Sequence, residues 1–163
     1  MYVRIPGWAR NQPIPSDLYS FLNPVEDEPV LRVNSEAFGL NMEKGFARIR
    51  RRWQKGDVVE LDLPMPVKRI TAHEVVKEDA GKVALQRGPV VYCLEGVDNH
   101  GHVLDRAIPD DLEFEVIFDP DLLGGINVVK SKNQEKAEAL VAVPYYAWSH
   151  RGAGEMAVWL PRK

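Results

Sequence analysis

The chain has 163 residues, 45% hydrophobic and 28% charged, enough to bury one substantial core or two small ones. With 21 Lys and Arg against 24 Asp and Glu, its formal net charge of −3 offers no polycationic face for nucleic acid. Apolar runs of only a few residues fall far short of a membrane span, and the N-terminus lacks the zones of a signal peptide, so we expect a soluble protein that engages neither nucleic acid nor membrane.

One cysteine, Cys93, excludes an internal disulfide. Twelve prolines and twelve glycines spread along a valine-rich chain favour short strands joined by tight turns over helices. The expected class is all-β.

Tyr2-Val3-Arg4-Ile5 reads as a strand, and because it follows Met1 directly it suggests a start inside a larger protein. After Pro6-Gly7-Trp8, Ser16-Asp17-Leu18 would cap one helical turn running to Leu22. Val30-Leu31-Arg32-Val33 is a strand, turned by Asn34-Ser35. In the segment from Phe46 to Leu63, Ala47, Ile49 and Trp53 alternate with Arg48, Arg50 and Arg52, and Val59, Leu61 and Leu63 alternate with Glu60 and Asp62. With Gln54-Lys55-Gly56-Asp57 as the turn, this predicts a hairpin that is apolar on one face. We read its arginines as a solvated strand face rather than a contact with an acidic partner.

Alternation continues through Arg69-Ile70-Thr71-Ala72-His73, and Asp79-Ala80-Gly81-Lys82 turns the chain. Val83-Ala84-Leu85-Gln86 leads into Arg87-Gly88-Pro89, and Val90-Val91-Tyr92-Cys93-Leu94, apolar on both faces, fits a central sandwich strand. Further strands are Phe114–Phe118, Ile126–Val129 and Leu140–Val143, with a hairpin turn at Lys132-Asn133-Gln134. Pro144-Tyr145-Tyr146-Ala147-Trp148 then leads to a last strand over Met156–Leu160.

No catalytic constellation is complete. Cys93, Glu95, Asp98, His100 and His102 offer metal-ligand types, but their spacing matches no closed zinc site, so we assign no metal ligand. Asp110-Asp111, Glu113 with Glu115, and Asp119 with Asp121 are sequence-adjacent acids of the kind found in turns, not two carboxyls facing across a sugar. Ser149-His150 has no nucleophile elbow. Trp8, Trp53, Tyr92, Tyr145, Tyr146, Trp148 and Trp159 would suit a sugar-stacking platform, or would fill a core or a domain contact; we favour the second. Tyr145, Tyr146 and Trp148 are the candidate contact residues, whether to a sugar or to a neighbouring domain.

Taken in order, Arg4-Ile5-Pro6-Gly7-Trp8, Trp53 with Gly56-Asp57, Leu63-Pro64-Met65, Val83 through Cys93, Pro144 through Trp148, and Gly154-Glu155-Met156-Ala157-Val158-Trp159 cover nearly the whole chain. The set closely resembles the C-terminal region of bacterial β-L-arabinofuranosidases, glycoside hydrolase family 127 and its relatives. That resemblance implies antiparallel, jelly-roll-like β-sandwiches, one or two, belonging to a larger enzyme whose (α/α)6 barrel holds the active site. Any boundary between two sandwiches would fall near Gly81.

The family's catalysis is thought to use a cysteine thiolate, with zinc held by a Glu-x-Cys motif and a Cys-Cys pair. This sequence has neither motif, so no catalytic, cofactor or metal residue is carried over, and zinc is implied for the barrel alone. The resemblance implies an accessory region, inactive when isolated, in a carbohydrate-metabolising enzyme. Its partners would be the barrel of the same polypeptide and, further, a second copy or a carbohydrate. Bacterial cytoplasm and periplasm both remain open.

Overall fold

The computed structural model describes residues 1–24, 27–132 and 139–163. In chain order the first strands are β1 (Tyr2–Arg4), β2 (Tyr19–Phe21), β3 (Val30–Val33), β4 (Glu36–Phe38), β5 (Met42–Glu43), β6 (Phe46–Arg48) and β7 (Val59–Asp62). They are followed by β8 (Val67–Ala72), β9 (Lys82–Arg87), β10 (Val90–Glu95), β11 (Phe114–Asp119), β12 (Ile126–Ser131), β13 (Val141–Pro144), β14 (Met156–Ala157) and β15 (Leu160–Pro161). Every strand pairing is antiparallel, and the only helices among the described residues are short 3-10 turns. The all-β antiparallel class expected from the sequence is the class observed.

Two cores organise these strands. The first lies between the sheets β1-β6-β5 and β4-β3-β7 and is built from Ile5, Ala9, Leu31, Val33, Ala47 and Ile49, with Trp8, Val59, Leu61 and Leu63 packed around them. The second lies on one face of a larger sheet, β11-β12-β13-β10-β9-β8-β2, where Val83, Leu85, Leu94, Val103, Ile108, Val129 and Leu160 are at most 1% exposed. Each such side chain contributes roughly 1.5–3 kcal/mol through burial. The chain passes from the first core to the second across Pro64-Met65-Pro66, while Gly81 lies in the β8–β9 connection within the larger sheet.

Local chemistry sets the turns. Asn34 and Ser35 (φ 53° and 67°) close the β3–β4 hairpin, and Lys44 and Gly45 (φ 50° and 84°) close β5–β6. Paired positive φ values match the right-handed twist of the flanking strands. Gly88 opens the β9–β10 turn at φ 57°, a left-handed backbone that favours glycine, and a Cβ there would lie 2.6 Å from the sulfur of Met65, whose exposed side chain would have to shift.

Three sequence-based expectations are corrected. The hairpin between residues 47–53 and 59–63 does not form: β6 ends at Arg48 and lies between β1 and β5, while β7 pairs with β3. Alternation reports which face is buried, and Ala47, Ile49, Val59 and Leu61 do face one core, but it does not report the partner strand. Trp53 stands apart from them, with the Arg51 guanidinium 5.5 Å from its ring. The helical turn expected at Ser16–Leu22 is instead a bend followed by β2. Ser16 Oγ accepts the Leu18 N–H at 3.3 Å, and Tyr19–Phe21 then gain a full register on β8.

The expected last strand, Met156–Leu160, is broken in two. Pairing between β9 and β10 ends at Leu85 and Tyr92, and the final segment occupies the resulting fork, Met156–Ala157 on β10 and Leu160–Pro161 on β9. The hairpin turn expected at Lys132-Asn133-Gln134 runs into residues outside those described.

Strand β2 matters for the architecture because it belongs in sequence to the first half and in space to the larger sheet. Phe21 packs with Ile70 and Ala84, and Tyr19 stacks on Trp159 at 5.4 Å between ring centroids, which fastens the two halves together. Replacing Leu85 by alanine is expected to lower the unfolding free energy by about 2–5 kcal/mol, whereas Val97→Ala on the exposed surface should stay within about 0.5 kcal/mol. Urea unfolding midpoints of the two variants check this; equal midpoints would contradict the assigned core.

Candidate functional site

The central strand β10 carries Tyr92 and Leu94 into the second core and turns Cys93 and Glu95 to the opposite face. There Cys93 packs with Ile126, Val128, Val143 and Ala147 and is fully buried. Burial, together with the nearby Glu95, pushes its thiol pKa up to about 12, so it is neither a thiolate nor exposed.

Two residues on, Glu95 is 6% exposed and carries a carboxylate. Burial alone would raise its pKa, but the Ser149 N–H at 2.9 Å and the Arg151 guanidinium at 2.6 Å outweigh that and hold the carboxyl below its ordinary range. Arg151 also grips Asp98 through two bonds, at 2.7 and 2.5 Å, which raises its own pKa further.

This network fixes the turn before it. Residues Tyr145–Ala147 form a 3-10 turn whose Ala147 is buried against β10, while Ser149, at φ 69°, presents its N–H to Glu95. With Ala147 inward and Ser149 tied down, the large side chains point out: Tyr145 is 46% exposed, Tyr146 66% and Trp148 41%. Tyr145 and Trp148 stack with centroids 6.2 Å apart and planes 28° from parallel. The structure thus places the three candidate contact residues on one rigidly mounted, outward-facing turn.

The other aromatics of the sequence set are elsewhere. Tyr92 is in the second core, Trp8 borders the first, and Trp159 covers Tyr19.

The metal-ligand types near β10 do not converge. Glu95 and Asp98 are taken by Arg151, and His102 faces Glu155, whose other oxygen accepts the Val103 and Leu104 N–H groups at 2.8 and 3.2 Å. Asn99, fully buried, ties the same loop to β13 through two bonds of 2.9 Å with Val141. Among the described residues no three His, Cys, Asp or Glu side chains are placed to share a metal ion. Asp110 is held by Arg162 at 2.5 and 2.7 Å, and Asp119 accepts the Asp121 N–H at 3.0 Å, so these acids serve ion pairs and turns. No helix of the described residues is long and apolar enough to cross a membrane.

The Glu95–Arg151–Asp98 network was not picked out from sequence. A trace of it is there, because Glu95 ends an apolar run on the face of Cys93, where an acid needs a partner. Nothing in the sequence points fifty-six positions ahead to Arg151.

Arg151→Ala should leave Glu95 buried and unpaired, costing about 3–5 kcal/mol. Because the folded-state pKa of Glu95 lies below its unfolded value, the wild-type contribution is present above about pH 4.5 and is lost as pH falls below it. In Arg151→Ala burial dominates, the pKa rises, and the variant should lose stability relative to wild type as pH increases through the acid range. Thermal melts between pH 3 and 7 measure the difference; parallel curves would refute the role given to Arg151.

Comparison with known proteins gives a consistent picture. Residues 1–65 match the β-L-arabinofuranosidase GH127 middle domain, and residues 67–161 match the glycoside hydrolase family 127 C-terminal domain. The chain is 33% identical to a non-reducing end β-L-arabinofuranosidase of Bifidobacterium longum subsp. longum, an alignment covering 98% of this chain and 25% of that protein.

Among solved structures, a GH127 β-arabinofuranosidase superposes with a TM-score of 0.91 at 36% identity, over 100% of this chain and 27% of the other. A GH127 β-L-arabinofuranosidase from Geobacillus stearothermophilus T6 gives 0.77 at 43% identity, over 84% and 25%. This chain therefore spans about a quarter of the length of the proteins it matches.

Proposed function

Because the chain belongs to glycoside hydrolase family 127, matching its middle and C-terminal domains, we propose that it is the accessory, non-catalytic region of a β-L-arabinofuranosidase-like enzyme. Its work in this reading is to buttress a catalytic barrel in the same polypeptide, and we read it as two subdomains meeting at Pro64-Met65-Pro66. The observation that carries the reading is the orientation of its side chains. The single thiol is buried and neutral and the acids beside it are committed to Arg151, while the largest aromatic surface faces outward from a fixed turn. A fold that turns its reactive groups inward and its adhesive groups outward is built to hold something.

The 163-residue chain alone is expected to show no hydrolysis of p-nitrophenyl β-L-arabinofuranoside. The same assay on the full-length polypeptide should show turnover that falls when this region is destabilised, as by Leu85→Ala. Hydrolysis by the isolated chain would overturn the reading.

The stacked Tyr145–Trp148 pair favours a second reading, a carbohydrate-binding module, since the apolar face of a furanose packs well on exposed rings. In that case titration with arabino-oligosaccharides would quench tryptophan fluorescence saturably, and Trp148→Ala would abolish the signal. No change at millimolar sugar removes this reading.

A further inference from the structure

Strands β8, β9 and β10 turn Ile70, Ala84, Gln86 and Val91 to the face of the larger sheet opposite the second core, with Ile70 beside Ala84 and Gln86 beside Val91 in register. Pro13 and Ile14 from the first half of the chain, with Val158 and the stacked rings of Tyr19 and Trp159, complete the lining of a cavity of 380 Å³ at these residues. That volume lies within the roughly 300–1,000 Å³ of small-molecule sites. Lys68, in register with Gln86, ties down the segment that brings Pro13 in, since its ammonium donates to Asn11 Oδ1 at 2.8 Å.

Gln86 sets the chemistry of the cavity. It is 5% exposed, the only buried polar residue among the described lining residues, and its Nε2 donates to the Gly88 carbonyl at 2.7 Å. A carbonyl only accepts, so the amide nitrogen faces Gly88 and the other end of the amide, Oε1, is left as an acceptor. No described residue donates to it. An amide oxygen buried among apolar side chains without a donor is unfavourable, and a donor entering the cavity relieves that penalty.

The rest of the lining selects what carries the donor. None of the described lining residues is charged, which disfavours a carboxylate, phosphate or ammonium ligand. A sugar has a hydroxyl on nearly every carbon, and a single amide oxygen would answer only one of them. The Tyr19 hydroxyl is already given to Asp79 Oδ2 at 3.3 Å. Aliphatic side chains with two aromatic rings instead suit a flat, uncharged, mostly apolar ligand with one donor.

We propose that this cavity is a binding site for a phenol-type ring, its hydroxyl donating to Gln86 Oε1 and its ring enclosed by Ile14, Val91, Val158 and Trp159. The site is separate from the exposed Tyr145–Trp148 turn and does not depend on the accessory reading. A free small molecule and a tyrosine side chain of the longer polypeptide share this chemistry.

Titration of the 163-residue chain with phenol and with toluene, its isostere without a donor, followed by NMR chemical shifts, tests this. Phenol should shift the Ala84, Gln86 and Val91 amides and the Trp159 indole N–H saturably, half-complete at roughly millimolar concentration, as expected of so small a ligand. It should bind at least as tightly as toluene, although water solvates phenol better. Gln86→Leu should lower the phenol-to-toluene affinity ratio at least about threefold. Ile14→Trp, which fills the cavity from a half-exposed position and keeps Gln86, should abolish binding of both ligands without lowering the melting temperature of the chain.

Tighter binding of toluene by the wild type, or an unchanged ratio in Gln86→Leu, would overturn the proposal; if Gln86→Leu does not fold, the wild-type order of the two ligands and Ile14→Trp decide. No saturable shift with phenol up to about 10 mM, or shifts confined to Tyr145–Trp148, would overturn it as well. Saturation-transfer NMR on the full-length polypeptide separates the two sources. Transfer to phenol that persists there assigns the ring to a free molecule. Transfer lost there, and recovered when a tyrosine outside residues 1–163 is replaced by alanine, assigns it to that side chain, and a loss that no such replacement recovers would overturn the proposal.

Discussion

A carboxylate at the end of a strand buried on both faces is tolerable only if its charge is paired and each oxygen hydrogen-bonded, and Glu95 is in that position. The answer comes from Ser149 and Arg151, which fixes the path of the chain after β13 and commits Asp98 as the second anion around the same guanidinium. The turn that carries Tyr145, Tyr146 and Trp148 is held between this ion network and the buried methyl of Ala147. Its rings are exposed because its neighbours are anchored, so the outward face follows from the buried charge beneath it.

The same strand organises the rest of the larger sheet. β10 pairs with β9, β13 and β14, and where β9 and β10 part, the last residues fill the fork. β2 extends the other side of the sheet, so a segment from the first half of the sequence stacks Tyr19 on Trp159 from the last turn. Opening either half exposes apolar surface of the other, which gives the two cores a shared stability despite their separate interiors.

Local patterns were legible where short-range chemistry decides the outcome. Val30–Val33 with its Asn34-Ser35 turn, and the β9–β10 hairpin around Gly88-Pro89, are in the structure as the sequence reads, because turn residues and β-branched runs act within a few positions. The arginine-marked alternation after Phe46 identified the inward residues Ala47 and Ile49 but suggested a false partner, since any strand with a matching apolar face satisfies the same pattern. Of the candidate site, the residue types and position of Tyr145, Tyr146 and Trp148 were visible, whereas their mount was not.

The sequence by itself determined the all-β class, the inward faces of most strands, the family, and the concentration of aromatics after Pro144, since these depend on period-two alternation, turn chemistry and ordered motifs. Tertiary structure alone decided that β6 sits between β1 and β5, and that Arg151 neutralises Glu95 from fifty-six positions away. The physical reason is that pairing between strands and compensation of buried charge are satisfied by proximity in space, and many sequence separations supply that proximity equally well.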